Sequence, residues 1–173
     1  DDGFLPVEPL KEYRLMPVPA SFNDVVTDYA LREYVGKVAY ETQFSCPVEN
    51  GREYRVRIGA ASHRCEVYLN GEYIGGSESA FLPVDLRLPT LKECNRLTVV
   101  IDNRLTYHTL PSGRIVNGND LFVYDQLGKY AVSGDKDKFP KEKQIINHDF
   151  YNYTGIHRSV FVYSLPEKDR KSV

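Results

Sequence analysis

The chain is predicted to fold as an all-β antiparallel sandwich or barrel, on three observations. Residues that favour strands are abundant, with thirteen tyrosines and eight phenylalanines among 173 residues. Short runs of alternating apolar and polar residues recur along the chain, which is the period of a half-buried strand. Between the runs fall Asn50-Gly51, Asn70-Gly71, Gly75-Gly76, Asn117-Gly118 and Ser133-Gly134, all of which read as turns. The strand pattern alone leaves a jelly roll and an immunoglobulin-type sandwich both open.

Taken in order, residues 24–35 (DVVTDYALREYV) are the one candidate for a short helix, with irregular apolar spacing. Residues 38–44 predict the first clear strand. In residues 54–58 the sequence Tyr54-Arg55-Val56-Arg57-Ile58 puts apolar side chains on one face and arginines on the other, as a half-buried antiparallel strand requires. Residues 66–69 and 72–74 predict a hairpin, because Asn70-Gly71 accepts positive φ at both central positions of a type I′ turn. Gly75-Gly76 then reads as a turn rather than a phosphate cradle. Residues 97–101 and 159–163 predict two further strands. Residues 107–146 lack a sustained strand pattern and carry the charged patch Asp135-Lys136-Asp137-Lys138. A loop of that length in a compact domain is usually functional or mobile. The mixed charges of residues 136–143 favour a solvated loop over an anion site. Residues 166–173 turn polar and charged, as the start of a linker does.

Composition narrows the function. A chain of this length suits one domain with a core of its own. A net charge of −2 argues against nucleic acid or an anionic membrane as the main partner. No apolar run approaches the roughly 18 residues of a membrane helix. Cys46, Cys65 and Cys94 are scattered and odd in number, so neither a disulfide framework nor a zinc site is expected. Free thiols, and a first segment unlike a signal peptide, point to the cytoplasm. The sequence lacks the G-x-S-x-G, H-E-x-x-H, P-loop and dinucleotide fingerprints, and no cofactor or metal is expected.

The densest chemistry lies in Asn147-His148-Asp149-Phe150-Tyr151-Asn152-Tyr153-Thr154-Gly155-Ile156-His157-Arg158-Ser159-Val160. A loop of aromatics with polar tips has to satisfy its hydrogen bonds internally where it is buried. This stretch resembles the end of the N-terminal jelly-roll domain of glycoside hydrolase family 2, most of all the β-glucuronidase form F-[FY]-N-Y-[AT]-G-I-H-R-S-V. Four further blocks match in the same order. Val18-Pro19-Ala20-Ser21-Phe22-Asn23-Asp24 resembles V-P-[GA]-S-[FY]-N-D, and Arg32-Glu33-Tyr34-Val35-Gly36-Lys37-Val38-Ala39-Tyr40 resembles R-x-Y-x-G-x-V-W-Y. Ala60-Ala61-Ser62-His63-Arg64-Cys65-Glu66-Val67-Tyr68-Leu69-Asn70-Gly71 resembles A-x-x-H-x-x-x-V-[WY]-[VL]-N-[GN]. Asp102-Asn103-Arg104-Leu105 with Thr109-Leu110-Pro111-Ser112-Gly113 resembles N-x-L followed by [TS]-[IL]-P-x-G. Two departures stand out: the family's first strand is not evident ahead of these blocks, and Ala39 replaces the common Trp in a chain without tryptophan. A missing first strand leaves a sheet edge unpaired, or the first residues pair differently.

The resemblance implies a jelly-roll, galactose-binding-like sandwich over residues 1–165, with residues 166–173 leading toward another domain. It implies the sugar-binding domain of a β-glucuronidase-like retaining hydrolase whose catalytic glutamates sit on a downstream (β/α)8 barrel. An immunoglobulin-like domain and a homo-oligomeric whole protein are further implied, with a β-glucuronide as substrate. Retaining hydrolysis needs two carboxyls roughly 5–5.5 Å apart, and no barrel is present here to aim a pair, so this chain alone is expected to be inactive. Asp149 is implied to reach into the barrel's pocket and bind a sugar hydroxyl, its bland alternative being a turn cap. His148 is a candidate to orient Asp149, or an ordinary loop residue. Tyr151 and Tyr153 are a candidate stacking platform, although at least one is expected to pack in the core or against the next domain. Asn152, His157 and Arg158 are expected to be structural, with Arg158 holding the loop through its five donors. His63 and His108 read as ordinary polar or core residues. The alternatives are the same domain of a β-galactosidase-like relative, or a free-standing carbohydrate-binding module, against which the absence of tryptophan counts.

Overall fold

A computed structural model of the chain describes residues 6–117, 142–149 and 151–167. The segments at 118–141, Phe150 and both ends lie outside the described residues. They include Asn117-Gly118 in part, Ser133-Gly134 and the 135–138 charged patch.

Chain order begins with β1 (Ala20–Ser21), two short helices α1 (Phe22–Val25) and α2 (Tyr29–Arg32), β2 (Lys37–Phe44) and β3 (Arg52–Ile58). There follow β4 (Ala61–Ser62), β5 (Arg64–Leu69), β6 (Glu72–Ser77), β7 (Val84–Arg87) and β8 (Asn95–Asp102). The order closes with β9 (Gly113–Asn117), β10 (Glu142–Ile146), β11 (Gly155–Ile156) and β12 (Val160–Pro166).

The four-stranded sheet β2-β8-β5-β6 and the three-stranded sheet β12-β3-β7 form the antiparallel sandwich. The chain crosses between them repeatedly, from β2 to β3, back to β5 and β6, across to β7, back to β8 and finally to β12. That crossing habit is the one a jelly roll uses. Alternation drives the packing: Val56 and Ile58 of β3, Val67 and Leu69 of β5, and Leu97, Val99 and Ile101 of β8 fill one core cluster. β3 and β5 turn their intervening residues outward, as expected of a sheet with one wet face, whereas on β8 Thr98 and Val100 are buried as well. On β3, Arg55 faces solvent and bonds Asp85 of β7 and Glu53, each at 2.7 Å. The Asp85 carboxylate also accepts from the Tyr163 hydroxyl at 2.6 Å.

Smaller sheets close one end. β11 lies between β1 and β4, and β9 pairs with β10 from Gly113↔Ile146 to Asn117↔Glu142. The second pair revises the strandless reading of residues 107–146. Its strands GRIVN and EKQII do not alternate apolar with polar residues, so a period of two does not reveal them. The two-residue strands β1, β4 and β11 are too short for any pattern, and the four-residue β7 was not singled out.

Three further expectations change. The helix over residues 24–35 is two single turns, starting earlier at Phe22. Val26 at φ −98°, ψ 130° is extended, and the β-branched run Val25-Val26-Thr27 discourages helix. Asp28 restarts the helix by accepting from the Ala30 N–H at 3.1 Å. Gly75-Gly76 lies inside β6 and not in a turn. Gly75 has φ +146°, and a Cβ there would meet Leu86 Cδ2 at 2.6 Å, so a close sheet-to-sheet approach explains the glycine. The register of β5 against β6 shifts at the same level, between Val67 and Tyr68. Asn70 (φ 53°) and Gly71 (φ 91°) do form the expected left-handed turn between β5 and β6.

The first described residues dock without strand pairing. Arg96 of β8 donates through Nη2 to the carbonyls of Pro6 (3.2 Å) and Val7 (2.5 Å), and through Nη1 to Glu41 at 3.1 Å. An open cleft of about 2480 Å³, lined among others by Tyr40, Phe44, Val160 and Val162, lies between the β2 and β12 edges. No helix among the described residues is long and apolar enough to cross a membrane.

Ile58 is fully buried at the centre of this core. Ile58→Ala is expected to lower unfolding free energy by about 2–5 kcal/mol, read from the urea midpoint at unchanged slope.

Candidate functional site

The loop leading from β10 to β11 divides its residues sharply. His148, Asp149, Tyr151 and Tyr153 are exposed, whereas Asn152 and Thr154 are buried. Two anchors produce that division. At the first, Asn147 donates its N–H to the Ser112 carbonyl at 3.1 Å and its side-chain amide to Ser112 Oγ at 3.2 Å. At the second, Asn152 and Thr154 enter a buried polar cluster at the end of the sandwich.

Asn103, directly after β8, organises that cluster. Its Oδ1 accepts from the Gly36 N–H at 2.8 Å, and its Nδ2 donates to the Tyr34 carbonyl (2.7 Å) and Thr154 Oγ1 (3.3 Å). Its own carbonyl accepts from Asn152 Nδ2 at 3.2 Å and Gln144 Nε2 at 3.1 Å. Asn23 of α1 supplies the other side, accepting the Thr154 N–H at 2.6 Å and donating to the Arg32 carbonyl at 2.5 Å. The Thr154 carbonyl accepts from the Phe22 N–H (3.1 Å) and Ser21 Oγ (3.0 Å). Gly155 follows with φ +134°, where a Cβ would lie 2.7 Å from the Ala20 carbonyl oxygen and 2.9 Å from the Tyr40 hydroxyl. Only glycine lets β11 slot between β1 and β4 at that distance.

His63, between β4 and β5, closes the cluster from below. It is buried, and its Nε2 meets Asn152 Oδ1 at 2.6 Å. Because Asn152 Nδ2 is donating to Asn103, the Oδ1 is the acceptor here, and His63 Nε2 carries the proton. Burial lowers the His63 pKa below its ordinary 6.5; the Asn152 bond opposes this, and the His157 and Arg64 charges add to it. Burial, then the Arg158 charge, likewise lowers His157, whose Nε2 is buried without a hydrogen-bond partner among the described residues. The Phe81 ring neighbours both imidazoles, edge-on to His63 at 6.1 Å and stacked on His157 at 6.5 Å.

The singled-out residues therefore separate. Asp149 and His148 stand at the exposed tip, and no hydrogen bond among the described residues joins them. Tyr151 and Tyr153 are 44% and 47% exposed, so neither packs in the core, the first of the two places expected for one of them. Their rings sit 4.7 Å apart at 55°, which is not a coplanar platform for a sugar face. Burial and the Glu33 charge raise the Tyr151 phenol, against a hydrogen bond from Arg32. Arg158 is exposed and makes no hydrogen bond to the loop among the described residues. The anchoring expected of it falls to Asn152 and Thr154, because Arg158 leaves the sandwich beside Gly59, where a glycine Cβ would meet its Cβ at 2.6 Å. His63 is a core residue with a specific partner, and His108 is exposed. Sequence reasoning missed Asn23 and Asn103, although three of the quoted blocks each carry one of the cluster's asparagines.

The family model for the sugar binding domain of glycosyl hydrolases family 2 matches residues 9–166. The chain belongs to this family. A family 2 relative, the β-glucuronidase of Paenibacillus borealis, is 35% identical over 162 residues, covering 90% of this chain and 24% of that enzyme. The β-glucuronidase of Felis catus is 37% identical over 160 residues, covering 87% and 23%. Among solved structures, the Ruminococcus gnavus β-glucuronidase in complex with D-glucuronic acid superposes with a TM-score of 0.72 at 35% identity, covering 88% of this chain and 24% of that one. The chain thus spans about a quarter of these family 2 proteins.

Two outcomes follow from the buried cluster. Asn103→Ala strands several buried donors and acceptors, and is expected to cost at least about 2 kcal/mol in a urea titration. The folded state holds His63 and His157 neutral, while the unfolded chain takes up protons as pH falls through 6.5. Their contribution to stability is therefore complete above that pH and is lost progressively below it. Urea midpoints measured across this window are expected to slope downward toward acid, and the slope is expected to flatten when both histidines are replaced by glutamine.

Proposed function

We propose that this family 2 domain works as the sugar-binding, N-terminal part of a β-glucuronidase-like retaining hydrolase. In that protein it braces a (β/α)8 barrel carrying the two catalytic glutamates and lends Asp149 to the substrate pocket. An immunoglobulin-like domain completes the protein, which assembles as a homo-oligomer in the cytoplasm. The observation that carries the reading is the exposed Asp149 carboxylate on a tip fixed at both ends, in a chain whose relatives are named β-glucuronidases.

The geometry suits the role. A carboxylate accepts from two sugar hydroxyls at once, and such charge-assisted bonds are stronger than neutral ones. To discriminate one sugar from another it has to be held in place before the substrate arrives. The anchors at Asn147 and Asn152 lie two and three residues from Asp149 and limit its sweep. By itself the domain is expected to leave an aryl β-D-glucuronide intact, because the pair of carboxyls that retaining hydrolysis needs belongs to the barrel of the proposed protein.

The decisive experiment is hydrolysis of an aryl β-D-glucuronide by the full-length protein, with and without Asp149→Ala. A fall in kcat/KM of about tenfold or more, equivalent to about 1.4 kcal/mol, is expected with folding unchanged. Equal kcat/KM in the two proteins would remove Asp149 from the pocket and leave the domain a brace.

A further inference from the structure

We infer that His63 is a positioning residue for the Asp149 tip, acting through the hydrogen bond from its Nε2 to Asn152 Oδ1. The inference deepens the proposed role of Asp149 and rests on it for its catalytic readout, though not for its structural one.

Three features of the loop single out this bond. Between the anchors the side chains of His148, Asp149 and Tyr151 are exposed, and apart from Tyr151, which bonds Arg32 and meets the Tyr153 ring, the described contacts hold this stretch from its ends. At the first anchor, both bonds run from Asn147 to Ser112, a half-buried residue directly ahead of β9. At the second anchor Asn152 is bound on both sides of its amide, by the Asn103 carbonyl at 3.2 Å and by His63 at 2.6 Å. The amide plane of Asn152 is thereby fixed, and with it the direction in which the chain leaves the sandwich toward Asp149. The shorter bond is the one to His63. His63 is itself held from two sides, by its N–H to the Asp102 carbonyl at 3.3 Å and by the edge-on Phe81 ring. A rigid strand end thus passes its position through one imidazole to one loop amide.

Nothing else in the cluster is arranged in this way. Asn103 and Asn23 bind several segments each, so their loss is felt by the whole end of the sandwich. His63 makes one side-chain hydrogen bond among the described residues, and that bond goes to the loop. A residue that only filled space would tolerate an isosteric apolar ring. A positioning residue needs a donor at Nε2.

The test uses the full-length protein with an aryl β-D-glucuronide and four variants: His63→Phe, His63→Gln, Asp149→Ala and the double variant His63→Phe/Asp149→Ala. Expected is a loss in kcat/KM for His63→Phe of about tenfold, comparable with that of Asp149→Ala. The double variant is expected to lose no more than Asp149→Ala alone, because both remove the same contact. His63→Gln keeps an N–H donor and is expected to recover most of the activity, and it remains informative if the phenylalanine variant does not fold. Additive losses in the double variant, or equal losses in His63→Phe and His63→Gln with normal stability, overturn the inference. So does His63→Phe activity within twofold of the parent when Asp149→Ala loses tenfold. If Asp149→Ala proves silent, amide hydrogen exchange of residues 147–154 decides. Exchange at least tenfold faster in His63→Phe than in the parent or His63→Gln sustains the positioning role, and unchanged exchange overturns it.

Discussion

The arrangement of this domain depends on one buried side chain whose amide oxygen and nitrogen are both hydrogen-bonded. Asn103 is 2% exposed, and a carboxamide so far from water is tolerated only when its donors and acceptors are met. The partners that meet them come from the segment before β2 and the loop before β11, and the backbone carbonyl of Asn103 binds β10 and that same loop besides. The sandwich core requires only apolar residues of suitable size on alternating positions, and many sequences supply those. The polar cluster demands particular atoms in particular places. It converts a generic two-sheet stack into a platform with one defined end, and the exposed carboxylate stands at that end.

The division between core and cluster also sets how much was legible in the sequence. Strands β2, β3, β5, β8 and β12 were readable to within a few residues, because burying one face imposes a period of two. The β5–β6 turn was readable because Asn70 and Gly71 are among the few residues at ease with positive φ. Gly75 and Gly76 looked the same and meant something else: a glycine records that a side chain has no room, and the reason for that lies in Leu86 and Cys65 on other strands. The helical region misled by summing weak propensities across a β-branched break. β9 and β10 were invisible because neither alternates apolar with polar residues and their pairing spans more than twenty residues of chain.

For the site, the sequence located the loop and the exposed tip but assigned the wrong anchor. Arg158 drew the expectation because it has the most donors, and donor count was the only measure a sequence offers. The structure gives the work to Asn152 and Thr154, whose short side chains fit inside the cluster, while the longer guanidinium stays outside. His63 could not be linked to Asn152 across 89 positions without the fold. The motif blocks held the clue in another form, since Asn23, Asn103 and Asn152 each sit inside one of them. Asparagines recurring in separate matched segments are what a shared buried network looks like when it is spread along a chain.

The sequence separation of these contacts bears on the order of assembly. Thr154 is joined to Asn23 across 131 positions and to Ser21 across 133. Closing loops of that size costs entropy that no local turn can offset, so such contacts form late. The β5–β6 hairpin and its neighbours can pair early, but the loop bearing Asp149 has nothing to anchor to until β1, α1 and the end of β8 are in register. A chain with its sheets mispaired would lack that anchor, and the carboxylate would hang loose. Correct presentation of the tip therefore doubles as a certificate that the long-range topology has closed.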